Sequence, residues 1–189
     1  SVGAQNIFDQ DEGPFTGEVS GNIIKGLVDY CIVGHSERRI VFGERDELIA
    51  KKVAACFRNK IIPILCVGEN LHQRQENLAK RTIIDQLDED LSEITGDEVK
   101  NLVIAYEPVW AIGTGQNASP GDVESMMIEI QKYLHNKYGD AIAPKVRILY
   151  GGSVKADNSK SYLDIGLCSG LLVGGASLNY KEFAKICQI

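Results

Sequence analysis

At 189 residues, with 44% apolar and 24% charged residues, the chain is long enough for one globular domain with a sizeable core. A formal charge of −6 without any lysine- or arginine-rich run argues against nucleic acid and anionic membranes as partners, so an anionic substrate must be attracted locally. No signal-peptide pattern and no apolar run near the ~18 residues of a spanning helix is present, and a cytoplasmic protein is expected.

From the N-terminus, Val2-Gly3-Ala4 reads as a short strand that opens onto Gln5-Asn6, followed by a short helix over 22–29. Ser1 fits either removal of an initiator methionine or a chain cut further upstream. Tyr30-Cys31-Ile32-Val33 is the second strand and runs into Gly34-His35-Ser36, which opens a turn or short helix. Leu48, Val53 and Phe57 lie among charges and predict a helix over 44–58. The third strand, 61–67, ends at Gly68-Glu69-Asn70. Beyond it, Leu71, Leu78, Ile84, Leu87, Leu91 and Ile94 predict a helix over 71–94.

The fourth strand, 102–106, ends at Glu107-Pro108. Ser119-Pro120-Gly121-Asp122 then supplies a capping serine, a proline at the first turn and an early acid, which together start a helix. Strands at 146–150 and 171–173 end in Gly151-Gly152-Ser153 and Gly174-Gly175-Ala176-Ser177, with helices over 158–165 and 178–187. The apolar runs are continuous rather than alternating, as in strands buried on both faces of a parallel sheet. Six strand–helix units alternate without a linker, giving one α/β domain over 1–189. An open doubly wound sheet and part of a closed barrel both fit. Polar and glycine-rich segments at nearly every strand's C-terminal end favour the barrel.

The five cysteines (Cys31, Cys56, Cys66, Cys168 and Cys187) are odd in number and show no CxxC spacing. Reduced thiols of a cytosolic protein are expected, with Cys31 and Cys66 as small core hydrophobes. His35, His72 and His135 lack HxH or HxxxH spacing, so no metal site is expected. His72 and His135 read as solvated helix residues.

Tyr106-Glu107-Pro108-Val109-Trp110-Ala111-Ile112-Gly113-Thr114-Gly115 is the most informative stretch. A carboxylate ends a buried strand, a proline turns the chain, and an apolar loop with the only tryptophan follows. It reads either as a lid that closes over a base or as an ordinary buried loop beside a salt-bridged glutamate. As a base, Glu107 would have its pKa raised by the apolar surroundings. His35, at a helix start, fits a neutral imidazole or a structural histidine. Gly113-Thr114-Gly115, Gly151-Gly152-Ser153 and Gly174-Gly175 together fit a main-chain phosphate cradle. Gly113-x-Gly115-x-x-Ala118 matches a loose dinucleotide fingerprint. It neither follows a strand directly nor opens a helix, so no nicotinamide or flavin is expected.

Taken in order, Val2-Gly3-Ala4-Gln5-Asn6, Phe15-Thr16-Gly17-Glu18, Val33-Gly34-His35-Ser36-Glu37-Arg38-Arg39, Cys66-Val67-Gly68-Glu69, Tyr106 to Gly115, Tyr150-Gly151-Gly152-Ser153-Val154 and Leu172-Val173-Gly174-Gly175-Ala176-Ser177 resemble the triosephosphate isomerase family from end to end. The resemblance implies interconversion of dihydroxyacetone phosphate and glyceraldehyde 3-phosphate without a cofactor, in glycolysis and gluconeogenesis. It makes Glu107 and His35 catalytic, with Ser36 and Glu37 in support; this family is itself the type case of a histidine kept neutral for such work. Gly113, Ser153, Gly174 and Gly175 would hold the phosphate. Pro108-Val109-Trp110-Ala111-Ile112-Gly113-Thr114-Gly115-Gln116-Asn117-Ala118 would be the lid, and the family's lid is likewise a standard example of gating.

Against the family's eight units in about 250 residues, the chain begins at what looks like the third strand. The expected fold is therefore an incomplete TIM-type barrel, about six of eight units, with an open wall. The Asn-x-Lys segment of the family's first strand, which carries the catalytic lysine, would be missing. Glu37 would lose a partner, and Gln116-Asn117 departs from the usual far hinge. Very weak or absent isomerisation is expected from these residues alone. The open wall and the loop at 6–18 imply a homo-oligomer. A non-catalytic binder of a phosphorylated metabolite and a bare interaction scaffold are the other readings.

Overall fold

The computed structural model of the chain describes residues 1–112 and 117–188. A six-stranded sheet holds β1 (Gly3–Ala4), β2 (Tyr30–Val33), β3 (Ile62–Val67), β4 (Val103–Tyr106), β5 (Arg147–Tyr150) and β6 (Cys168–Leu171) side by side in chain order. Every neighbouring pair is parallel. Parallel neighbours need a crossover each time. These are α1 (Gly21–Ile24), α2 (Ser36–Ile40), α3 (Asp46–Arg58), α4 (Leu71–Gln75), α5 (Ala79–Asp90), α6 (Gly96–Val99), α7 (Pro120–Tyr138) and α8 (Ser159–Leu163), and α9 (Tyr180–Cys187) follows the last strand. Among the described residues β1 and β6 do not pair with each other, so the sheet is the open partial barrel expected.

The register brings the functional segments to one rim. Val33 pairs with Leu65, Val67 with Tyr106, and Tyr106 with Tyr150. Pairing continues a step beyond the strands: Glu107 N–H donates to Val67 O at 2.8 Å and Gly151 N–H to Tyr106 O at 2.8 Å. The starts of the loops after β3, β4 and β5 are thereby fixed relative to one another.

Local chemistry explains the main helices. α3 opens on Asp46 and Glu47, closes on Arg58, and buries Ile49, Val53 and Cys56 along one stripe. α7 begins where the serine–proline signal places it: Ser119 Oγ accepts from Asp122 N–H at 3.1 Å.

Several sequence expectations need correction. The helix expected over 71–94 is two, because Asn77 adopts a left-handed φ of 57° between α4 and α5. Leu71 and Leu78 are consequently exposed, whereas Ile83 and Leu87 face the core. The helix expected over 22–29 ends at Ile24. The last strand is Cys168–Leu171, not 171–173. A register skip between Ile148↔Cys168 and Leu149↔Gly170 draws the ladder onto a less apolar stretch, and Gly170 takes φ 155° there. An edge strand needs little hydrophobicity, so composition pointed past it. Burial on both faces holds throughout β4, but in β2 alternate residues Tyr30 and Ile32 are only half-buried, as are Ile62 and Ile64 in β3.

Arg39 ties this rim together. Its guanidinium donates to Gly34 O at 2.7 Å, to Cys66 O at 3.0 Å and to Asp90 at 2.7 Å, and it pairs with Asp46. Gly34, at φ 71° and crowded by this guanidinium and by Cys66 O, needs to be glycine. Burial pushes the Asp90 carboxyl up to about 7, against the pull of Arg39. Replacing Arg39 by Met strands a buried acid, for which a loss of about 3–5 kcal/mol is expected. Urea unfolding checks this: the double variant Arg39→Met, Asp90→Leu should recover part of the loss, and no recovery would mean the pair is not the source.

Candidate active site

The site is built on Glu107, the residue after β4. Its backbone is pinned by close approach, since a Cβ on Gly68 would lie 1.7 Å from Glu107 O. Only glycine fits there. On the other side, a Cβ on Gly151 would stand 3.0 Å from Glu107 Cγ. The side chain therefore runs between two glycine corners toward β2, with only 2% of its surface exposed.

Glu107 Oε2 accepts from Ser36 N–H at 3.0 Å, the first amide of α2. Oε1 lies 3.1 Å from His35 Nε2 but makes no well-aligned hydrogen bond, so it is a buried acceptor with spare capacity. His35 Nδ1 accepts from Glu37 N–H at 3.3 Å. An accepting Nδ1 leaves the ring proton on Nε2, the nitrogen nearer Glu107. Burial raises the Glu107 pKa, opposed by His35 and by the Ser36 amide. The Cys66 thiol is also pushed well up, first by burial and then by neighbouring Glu107, which makes it unreactive.

His35, Glu37 and Glu107 line a cavity of about 890 Å³ together with Gly151, Gly152, Ser153, Gly174 and Gly175. Strands β2, β4, β5 and β6 thus bring the residues singled out in the sequence to one place. Ser36 is buried beside them and Glu37 is exposed. Gly174 precedes a single 3-10 turn, Gly175–Leu178, rather than a helix. His72 is exposed, and His135 Nδ1 sits 2.8 Å from Asp140 at the surface. Among the described residues no cluster of three His, Cys, Asp or Glu is set to hold a metal ion.

Of the lid, Pro108 to Ile112, Asn117 and Ala118 are described; Gly113, Thr114, Gly115 and Gln116 lie outside the described residues, and with them the expected phosphate contact of Gly113. Val109–Ala111 form a 3-10 turn. Three residues at this end carried no role in the sequence reading. Buried Glu69 accepts from Trp110 Nε1–H at 2.8 Å and from Tyr106 O–H at 3.2 Å, while its carbonyl accepts from Val109 N–H at 3.1 Å. Arg74 covers the Trp110 ring at 4.3 Å and lies 3.6 Å from Glu69. Burial raises the Glu69 pKa even against these donors. The available signal was an acid at a strand end, a setting shared with Glu107, though here a glycine precedes it and no proline follows.

A family profile described as triosephosphate isomerase matches residues 1–189. The chain is 48% identical over 188 residues to the triosephosphate isomerase of Finegoldia magna, covering 98% of this chain and 75% of that protein. It is 48% identical over 190 residues to that of Symbiobacterium thermophilum, covering 98% and 73%. Against that of Cytophaga hutchinsonii it is 43% identical over 189 residues, covering 100% and 75%. The chain thus spans about three quarters of the length of these relatives.

The raised Glu107 pKa fixes a sign. A carboxyl whose folded pKa lies above the ordinary value of 4.5 favours folding fully below that pH, and the contribution is lost as pH rises through the folded pKa. Glu107→Gln keeps the shape without the charge. It should melt above the parent at pH 8, with the gap closing toward pH 4.5; a gap independent of pH in paired thermal melts would rule out buried ionisation as its cause.

Proposed function

The chain belongs to the triosephosphate isomerase family, and from that membership and the site geometry we propose that it carries machinery for moving a proton between neighbouring carbons of a triose phosphate. The observation that carries this reading is the pairing of a buried, under-bonded Glu107 Oε1 with His35 Nε2 at 3.1 Å. A base needs a free oxygen and a pKa raised toward the working range. Glu107 takes the proton from the carbon beside the carbonyl. His35 donates from Nε2 to the carbonyl oxygen as negative charge develops there. The proton then returns to the neighbouring carbon while His35 Nε2 takes back a proton from that carbon's hydroxyl oxygen, which becomes the new carbonyl, so the reaction is internally balanced and needs no external oxidant.

The amides of Ser153, Gly174, Gly175 and Gly113 hold the phosphate, and Ser36 and Glu37 position the pair. Residues 108–118 close over it as the lid. Residues 1–189 act as one domain. The five free cysteines support a cytoplasmic protein, and no helix among the described residues is long and apolar enough to cross a membrane. The open edges at β1 and β6, with Val2, Ile23, Leu27 and Leu178 exposed, support self-association into an oligomer.

Turnover by these 189 residues alone is proposed to be very slow. The cations lining the cavity are Arg38, paired with Glu44 at 2.6 Å, and exposed Lys155. Neither stands in for the lysine that the family places on a strand preceding β1. Losing one neutral oxyanion donor costs about 10²–10³ in rate, and a cation facing a dianion matters at least as much. A second reading, phosphometabolite binding without turnover, draws on the same cradle. A coupled spectrophotometric assay should find the chain far below the roughly 1–10³ s⁻¹ of ordinary enzymes, while calorimetry detects 2-phosphoglycolate. Ordinary turnover would overturn the slow-enzyme reading; absence of heat at millimolar ligand would overturn the phosphate site and leave a scaffold.

A further inference from the structure

β3 ends at Val67, and the next peptide bond, between Val67 and Gly68, is held from both sides. A planar trans peptide points its C=O and N–H in opposite directions. On one side, Val67 O accepts from Glu107 N–H at 2.8 Å. On the other, Gly68 N–H donates to Gln86 Oε1 at 2.9 Å, and Gly68 O accepts from Gln86 Nε2–H at 3.2 Å. Gln86 is half-buried on α5. The pairing of β2 with β3 ends at Val33↔Leu65, so no strand reaches Gly68 there. The Gln86 carboxamide supplies the donor and the acceptor in its place.

Glu107 depends on this peptide through two contacts. Its N–H bonds Val67 O, and its carbonyl packs so close to Gly68 that a Cβ there would lie 1.7 Å away. Both locate the backbone from which the buried carboxylate reaches His35. Hydrogen bonds in a chain polarise one another, so the Gln86 bond strengthens the Glu107 bond across the same peptide. One turn further along α5, Asp90 holds Arg39, which bonds Cys66 O and Gly34 O on the His35 side. Residues four apart share a helix face. A single face of α5 therefore reaches the segments that carry both His35 and Glu107.

We infer that Gln86 is a positioning residue: its carboxamide fixes the Val67–Gly68 peptide and, through it, the backbone of Glu107, which sets the carboxylate against His35. Gln86 touches no substrate. The inference deepens the proton-transfer reading above and rests on it for its functional consequence.

Gln86→Met keeps the length of the side chain and removes both hydrogen bonds. Gln86→Glu works as a switch. Ionised at about pH 8 it cannot donate to Gly68 O, whereas protonated at about pH 4 it again offers one donor and one acceptor. Native-state hydrogen exchange by NMR compares each variant with the parent at the same pH. In Gln86→Met the Glu107 amide should exchange roughly tenfold faster, the effect of two modest hydrogen bonds, while the amides of Ile104 and Ala105 in β4 keep their protection. Gln86→Glu should follow the Met variant at the higher pH and the parent at the lower. Gln86→Met should also bind 2-phosphoglycolate, which extends from the phosphate cradle toward Glu107, roughly tenfold more weakly, and inorganic phosphate as the parent does. Unchanged Glu107 exchange, equal quickening along β4 or a Glu variant indifferent to pH would each overturn the inference. So would equal weakening of both ligands, or phosphoglycolate binding that survives intact. If the parent binds no phosphoglycolate, the functional reading fails, and exchange alone then decides whether Gln86 positions Glu107.

Discussion

Desolvation of Glu107 is the constraint around which the site is arranged. A carboxylate 2% exposed pulls strongly toward neutrality, and the fold gives it one amide hydrogen bond, from Ser36, plus the His35 imidazole at 3.1 Å. A full cation there would hold it ionised and quiet. The Ser36 amide and His35 oppose that pull without reversing it. Gly68 and Gly151 exist in this form because the Glu107 backbone and Cγ pass where a Cβ would stand. Arg39, bonded to both Gly34 O and Cys66 O, locks the segment that carries His35 against the strand beside Glu107.

Three buried acids at this rim make the point by comparison. Asp90 faces a guanidinium at 2.7 Å. Glu69 collects an indole N–H and a phenol O–H, with Arg74 at 3.6 Å. Both are committed to holding elements together: Asp90 fixes the helix bearing Arg39, and Glu69 fixes the lid's near end. Glu107 alone is matched with a group able to take up or give back a proton, and it alone opens on the 890 Å³ cavity. Burial raises all three. The partner, rather than the burial, sets Glu107 apart from the two structural acids.

The sequence made the strand–helix alternation, the helix start at Ser119, and Glu107 as a candidate legible, because each rests on short-range signals: apolar runs, a capping serine, a carboxylate at a strand end. The joining of His35 to Glu107 came from the family resemblance. What it hid depends on long-range pairing. Gln86 and Gly68 are 18 positions apart, and Trp110 and Glu69 are 41. Neither glutamine nor glutamate advertises such a partner. Cys168–Leu171 was hidden for the opposite reason: its place is dictated by β5 through a register skip, while the more apolar Leu171-Leu172-Val173 looked the better strand. Asn77 was read as part of a helix because hydrophobic spacing carries no sign of a left-handed residue.

Keeping the cradle and the base in one open sheet separates two kinds of electrostatic work. Binding a phosphate dianion calls for amides at the rim, and those lie at the ends of β5 and β6, inside the described sheet. Stabilising charge that appears only during proton transfer calls for a cation facing Glu107 across the substrate. On the cavity wall, Arg38 is drawn to Glu44 and Lys155 is exposed beside Gly152 and Ser153. Attraction at the phosphate end is felt equally before and during the reaction, so it lowers the energy of the bound state without lowering the barrier.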